Sequence, residues 1–159
     1  MTILITGGTG KTGGILARKL HEANYPFVVA TRTGKAPEPF KVVTFDWFDA
    51  STFENPFKAD QNIDKVYLIM PPTFDILPSV APFIDLAIEK QVKRFVLLTS
   101  AQSEAGGMAH GKVHQYLLDK GVDYAVLKPS WFIRKSIILL YQITILTIWL
   151  YREFFFELL

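Results

Sequence analysis

The sequence contains no cysteine, which excludes disulfide bonds and thiolate metal sites and leaves a reducing intracellular setting open to the chain. Charge of one sign is missing too. Its 17 Lys and Arg stand against 15 Asp and Glu, the net charge is +2, and the basic residues are scattered rather than run together. Such a balance has no electrostatic footprint for nucleic acid, so no nucleic-acid partner is expected. No leader is expected either. The apolar run Thr2 to Thr6 is short, has no basic lead and enters a cluster of glycines; it reads as a buried strand, and a cytoplasmic chain is expected. No internal repeat is found. The last shortage is local: all ten glycines lie at or before Gly121 and all nine prolines at or before Pro129.

What is present fits one domain. The chain has 159 residues, of which 50% are hydrophobic, enough for a sizeable core. Six short runs are apolar on both faces: Ile3 to Ile5, Phe27 to Ala30, Val42 to Phe45, Val66 to Ile69, Phe95 to Leu98 and Tyr124 to Leu127. Continuous rather than alternating apolarity suits strands covered by helices on both sides, hence a parallel sheet. Helical stretches separate them, at about Lys11 to Ala23, Ser51 to Phe57, Ile76 to Gln91 and Met108 to Lys120. The last ends at Gly121, a glycine placed to cap it. Lys35 to Pro39 is a loop. The fold class expected is α/β, a doubly wound, Rossmann-like parallel sheet with strands in the order 3-2-1-4-5-6.

Thr6-Gly7-Gly8-Thr9-Gly10-Lys11-Thr12-Gly13 follows the first strand and opens the first helix. Glycines at 7, 10 and 13 let a pyrophosphate reach main-chain amides at the helix N-terminus and let helix and strand pack closely. Gly7, Gly8, Thr9, Gly10, Lys11, Thr12 and Gly13 are therefore candidate cofactor-binding residues. A nucleotide-triphosphatase loop is excluded, because Ile5 stands where its first glycine belongs. At the end of the second strand, where an NAD-selective site usually has an acid, stands Arg32. Its guanidinium suits a 2′-phosphate, with Thr31, Thr33 and Lys35 close by, and the cofactor expected is NADP(H). Asp46, past the third strand, reads either as an acceptor for the adenine amino group or as a solvated turn carboxylate.

Ligands in such folds lie across the carboxyl ends of the strands. Three more ends are informative: Met70-Pro71-Pro72, Thr99-Ser100 and Pro129-Ser130-Trp131-Phe132, with Pro71 a further cofactor contact. Tyr116 and Lys120 have the Tyr-x-x-x-Lys spacing of short-chain dehydrogenases, but Lys120 precedes Gly121 at the helix end far from the active face. The lysine in the first turns is Lys112, and four residues before it stands Met108, which cannot donate a proton. Ser100 and Lys112 are the catalytic candidates. A site with a lysine but no acid suits reduction of an iminium, which hydride alone quenches, better than a ketone, whose alkoxide needs a proton. His110 and His114 are four apart with no third ligand evident, so no metal is expected.

Several segments together resemble the fungal festuclavine/agroclavine dehydrogenases of ergot alkaloid biosynthesis, which are NmrA-like, atypical short-chain dehydrogenases. They are Met1 to Leu4 running into Gly-Gly-x-Gly-Lys-Thr, Phe45-Asp46-Trp47, Glu54-Asn55-Pro56-Phe57 and Lys128-Pro129-Ser130-Trp131-Phe132. The resemblance covers about residues 1–132. It implies NADP(H)-dependent reduction of a tetracyclic alkaloid iminium, with Gly7, Gly10 and Gly13 at the pyrophosphate, Arg32 near the 2′-phosphate, and Ser100 and Lys112 near the nicotinamide. A non-catalytic NADP-sensing module of the NmrA-like type, or a homologue that only binds dinucleotide, is the alternative.

Members of that family continue past the Trp-Phe pair into a substrate lobe, which the sequence here is expected to lack. Residues 133–159 are read as an aberrant hydrophobic tail. Ile137 to Tyr151 is nearly all apolar, yet fifteen helical residues span roughly 22 Å against a hydrocarbon core of about 30 Å. The readings are a marginal membrane segment, an apolar helix capping the sheet, or sequence foreign to the domain's plan. The composition break favours the last.

Overall fold

The computed structural model describes residues 1–129 of the chain. The helix and the domain boundary expected after residue 132 lie outside them. Six strands form one sheet: β1 (Thr2–Thr6), β2 (Phe27–Thr31), β3 (Val42–Thr44), β4 (Ile63–Leu68), β5 (Arg94–Leu98) and β6 (Asp123–Leu127). Their order is β3-β2-β1-β4-β5-β6 and every pairing is parallel. This is the doubly wound order expected from the sequence, with the change of direction beside β1.

Four helices link the strands: α1 (Gly13–Glu22), α2 (Asn55–Ala59), α3 (Leu77–Glu89) and α4 (His110–Lys120). Helix α1 buries Gly13, Leu16, Ala17 and Leu20, a stripe at helical spacing. It meets Ile3, Ile5, Val29, Tyr67 and Val96 on one face of the sheet. The opposite face carries Leu4, Val28, Val66, Phe95 and Leu97, covered by Phe57 of α2, Val80, Phe83 and Ile84 of α3, and Val113 and Leu117 of α4. Period-2 alternation within each strand thus divides one apolar run between two cores.

The coverage is unequal. Among the described residues only α1 lies on the first face, and β6, at the sheet edge, is half-buried from Tyr124 to Leu127. The sequence expectation of full cover on both sides therefore holds for β1, β2, β4 and β5 and not for the edge strands β3 and β6. An apolar run shows what a strand prefers to bury; its place in the sheet decides how much it does bury.

Aromatic side chains fill the larger core. Phe83 is fully buried, with ring centroids 4.9 Å from Phe45, 5.4 Å from Trp47, 5.6 Å from Phe53 and 6.0 Å from Phe57. Edge-to-face contacts dominate, as ring quadrupoles favour. This cluster fastens α3 over the segment that follows β3. Phe83→Ala is expected to cost about 3–5 kcal/mol, the range for truncating a buried aromatic ring. Urea unfolding measures it, and a loss below about 1 kcal/mol would show that the cluster does not hold α3.

Candidate functional site

Parallel register brings the candidate residues to one edge. Thr6 pairs with Ala30 and Ile5 with Tyr67, while Leu68 pairs with Leu97 and Leu98 with Leu127. The glycine turn, Arg32, Asp46, Pro71, Ser100 and Pro129 accordingly all leave the sheet at its carboxyl end. Helix α4 starts on the same side, which places Lys112 there and Lys120 at the far end.

The turn is built by close approach. Gly7 adopts φ +60°, and its carbonyl accepts from the Gly10 N–H at 2.9 Å. A Cβ on Gly13 would lie 2.5 Å from that carbonyl oxygen and 2.9 Å from Gly8 Cα, so any side chain there would force the first helical turn away from the strand. Gly10 differs. Its Cβ would meet only the Gly7 oxygen, at 3.1 Å, a contact relieved by a few tenths of an ångström, and the residue is exposed. The missing side chain at Gly10 leaves the outer surface of the turn open. Main-chain N–H groups of Lys11, Thr12 and Gly13 have no acceptor among the described residues. They sit at the N-terminus of α1, where orphan donors and the helix dipole favour an anion.

Beneath the turn the supports are polar and buried. The Thr6 hydroxyl donates towards the Tyr67 carbonyl at 3.0 Å and accepts from the Ile69 N–H at 2.7 Å. Trp47 Nε1 donates to the Ile69 carbonyl at 3.1 Å. Ile69 is therefore pinned between β1 and the segment after β3, which fixes where Met70 and buried Pro71 leave β4. The Tyr67 hydroxyl is buried under the turn beside Thr12, and burial pushes its pKa up to about 12. Sequence reasoning missed Thr6, Trp47 and Tyr67 as supports. The available signal was a hydroxyl or an indole N–H inside an otherwise apolar run, a polar group that burial obliges to find a partner.

At the end of β2, the Thr31 carbonyl accepts from the Gly34 N–H at 3.3 Å, and the Thr31 hydroxyl donates to the Lys35 carbonyl at 3.4 Å. Thr31 is thereby turned inward, whereas Arg32, Thr33 and Lys35 are exposed. Arg32 makes no ion pair among the described residues. Asp46 Oδ1 accepts from the Phe48 N–H at 3.0 Å, which uses one carboxylate oxygen to hold its own turn. Ser100 Oγ lies 3.1 Å from Ser103 Oγ. Lys112 Nζ lies 3.9 Å from Asp75 Oδ1.

The Tyr116 and Lys120 pair has a different task. Tyr116 donates to Asp85 Oδ2 at 2.8 Å and Lys120 Nζ lies 2.7 Å from Asp85 Oδ1, tying α4 to α3. The Lys120 ammonium holds the Asp85 carboxyl below its usual range. Met108 lies just before α4, and its carbonyl accepts from Gly111 N–H at 3.0 Å. Burial lowers the His110 pKa. No group of three or more metal-ligating side chains exists among the described residues, and no helix among them is long and apolar enough to cross a membrane.

The comparisons agree with the motifs. The model of the NAD dependent epimerase/dehydratase family matches residues 3–71. Agroclavine dehydrogenase of Claviceps fusiformis is 46% identical over 136 residues, covering 83% of this chain and 47% of that protein. Festuclavine synthase I of Penicillium roqueforti is 41% identical over 138 residues, 83% of this chain and 48% of that protein. The chain is similar in sequence to agroclavine dehydrogenases and festuclavine synthases over 83% of its length. It spans about half the length of the curated relatives it matches. Among solved structures, the Citrobacter sp. triphenylmethane reductase complexed with NADP(H) superposes with a TM-score of 0.68 at 18% identity, covering 92% of this chain and 55% of that one. That likeness supports the Rossmann-like fold.

Tyr67 yields a pH prediction. Its phenol ionises near 10 when unfolded and at about 12 when folded, so its contribution is complete below pH 10 and is lost as pH rises to 12. The decline in unfolding free energy should reach about 2–3 kcal/mol, at 1.36 kcal/mol per unit. Tyr67→Phe should lack that part of the decline; an identical alkaline profile in parent and variant would contradict the buried phenol.

Proposed function

We propose that the chain binds NADP(H) at the glycine turn and contributes the coenzyme half of a reductase acting on a clavine-type iminium. One observation carries the reading: the turn has no side chain at Gly10, although the fold would need to give by only a few tenths of an ångström to take a Cβ there. The open surface there, next to the free N–H groups of Lys11, Thr12 and Gly13, fits two linked phosphates. Lys11 adds a positive charge at the same turn. Arg32, exposed and without an ion pair among the described residues, fits a 2′-phosphate, to which a guanidinium offers a fork of donors. Asp46 keeps one carboxylate oxygen for an adenine amino group, and Pro71 forms the wall beyond β4.

Bound NADPH would supply a hydride from nicotinamide C4 to the iminium carbon, whose C=N bond becomes a C–N bond as the nitrogen loses its charge. No proton is consumed in that step. Met108 before α4 and the engagement of Tyr116 with Asp85 accord with such chemistry, since neither supplies an acid at the carboxyl edge. Ser100 and Lys112 serve to orient the reactants there, and their contribution is position rather than proton transfer. The names of the relatives at 46% and 41% identity support the substrate class.

Titration of the full chain with NADPH and NADH tests the reading. The parent is expected to favour NADPH, and Arg32→Ala to narrow that preference by roughly 10–100-fold, the range for losing hydrogen bonds to a charged group. Affinity for NADH should change little. An equal loss for both coenzymes would contradict the assignment of Arg32, and no binding of either would remove the proposed function.

A further inference from the structure

The loops at the carboxyl ends of β4 and β5 carry the two most exposed large apolar side chains of the described residues, Phe74 at 87% and Met108 at 83%. Leaving such groups in water is unfavourable, and apolar side chains gathered beside a binding edge mark contact surface. Neither serves the core. Asp75 follows Phe74, and its side chain is 75% exposed. Lys112, one helical turn beyond Met108, reaches Asp75 at 3.9 Å, so both loops meet at this ion pair. Ala109, between Met108 and Lys112, holds φ +49°, which fixes the abrupt entry into α4.

Charge decides what this rim accepts. Lys11, Arg32 and Lys112 put positive charges on the carboxyl edge, which suit phosphates and oppose an organic cation. Only two acidic side chains stand on these two loops among the described residues, Asp75 and Glu104. Glu104 is engaged by Lys128, with Nζ 3.3 Å from both carboxylate oxygens. Asp75 shares a long, solvent-exposed pair with Lys112, and pairs of that kind are weak and readily exchanged. It is the carboxylate able to cancel the Lys112 charge and still face an incoming cation.

We propose that Asp75 is a specificity-determining residue that admits a positively charged, flat aromatic substrate to the carboxyl edge, with Phe74 and Met108 as its apolar contacts. The aromatic face of Phe74 attracts a cation through its quadrupole, and the Met108 thioether packs against ring edges. This rests on the iminium reading of the site, and it assigns the recognition of that substrate's charge to one side chain.

The test compares two probes on the full chain, with and without NADPH: tryptamine, which is an ammonium ion at neutral pH, and N-acetyltryptamine, which is uncharged. The parent should bind the charged probe about fivefold tighter, the scale of one exposed ion pair with a ring contact. Asp75→Asn should bring the ratio near one, and Asp75→Glu should restore most of it. Phe74→Ala should weaken both probes. Circular dichroism verifies that each variant is folded. Equal binding of the two probes by the parent, or an undiminished ratio in Asp75→Asn, overturns the proposal even where NADPH binds. Loss of coenzyme binding with the ratio intact would instead remove the dinucleotide reading and leave Asp75 as a cation contact.

Discussion

The first helix begins almost in contact with the carbonyl of the turn that precedes it, and much of the carboxyl edge is arranged around that approach. With a Cβ at Gly13 only 2.5 Å from the Gly7 oxygen, α1 could not start where it does. Its leading N–H groups would then no longer face outward at the end of β1. Because α1 is the only helix among the described residues on its face of the sheet, its position also determines how Ile3, Ile5, Val29 and Tyr67 are covered. One steric condition therefore couples the stability of the smaller core to the geometry of the glycine turn.

The rest of the edge is held by a short chain of buried polar contacts. Thr6 and Trp47 both reach the main chain at Ile69, and Trp47 belongs to the aromatic cluster around Phe83. The packing of α3 is thus connected through an indole N–H to the place where β4 leaves the sheet. Tyr67 performs a similar task two residues earlier, under Thr12. Loops at the carboxyl edge are supported by buried side chains, which is how a turn keeps its shape without rigid sequence of its own.

Much of this was legible in the amino-acid sequence because it depends on short-range pattern. The strands, their parallel order and the glycine turn follow from apolar runs and from Gly7, Gly10 and Gly13. The place of Lys120 follows from its distance to Gly121, and the structure gives that lysine and Tyr116 to Asp85. Long-range pairings were not legible. Nothing local marks Thr6 as the partner of Ile69, or Asp75 as the partner of Lys112, since each pair joins segments that only the sheet register brings together. The half-burial of β6 was hidden for the same reason: strand composition does not state a strand's place in the sheet. Thr31 turned inward because Gly34 closes the loop after β2, a turn that proximity of Thr31 to Arg32 in sequence did not reveal.

The central claim is that bare main-chain donors at the start of α1 receive the pyrophosphate of a dinucleotide. Gly10→Val tests it most directly, since a side chain at that position is nearly accommodated by the fold and projects over the open surface of the turn. Calorimetric titration with NADPH should show binding by the parent and a loss of at least about 100-fold in the variant, roughly 2.7 kcal/mol, with the unfolding transition little changed. Equal affinity in the two proteins would contradict the account.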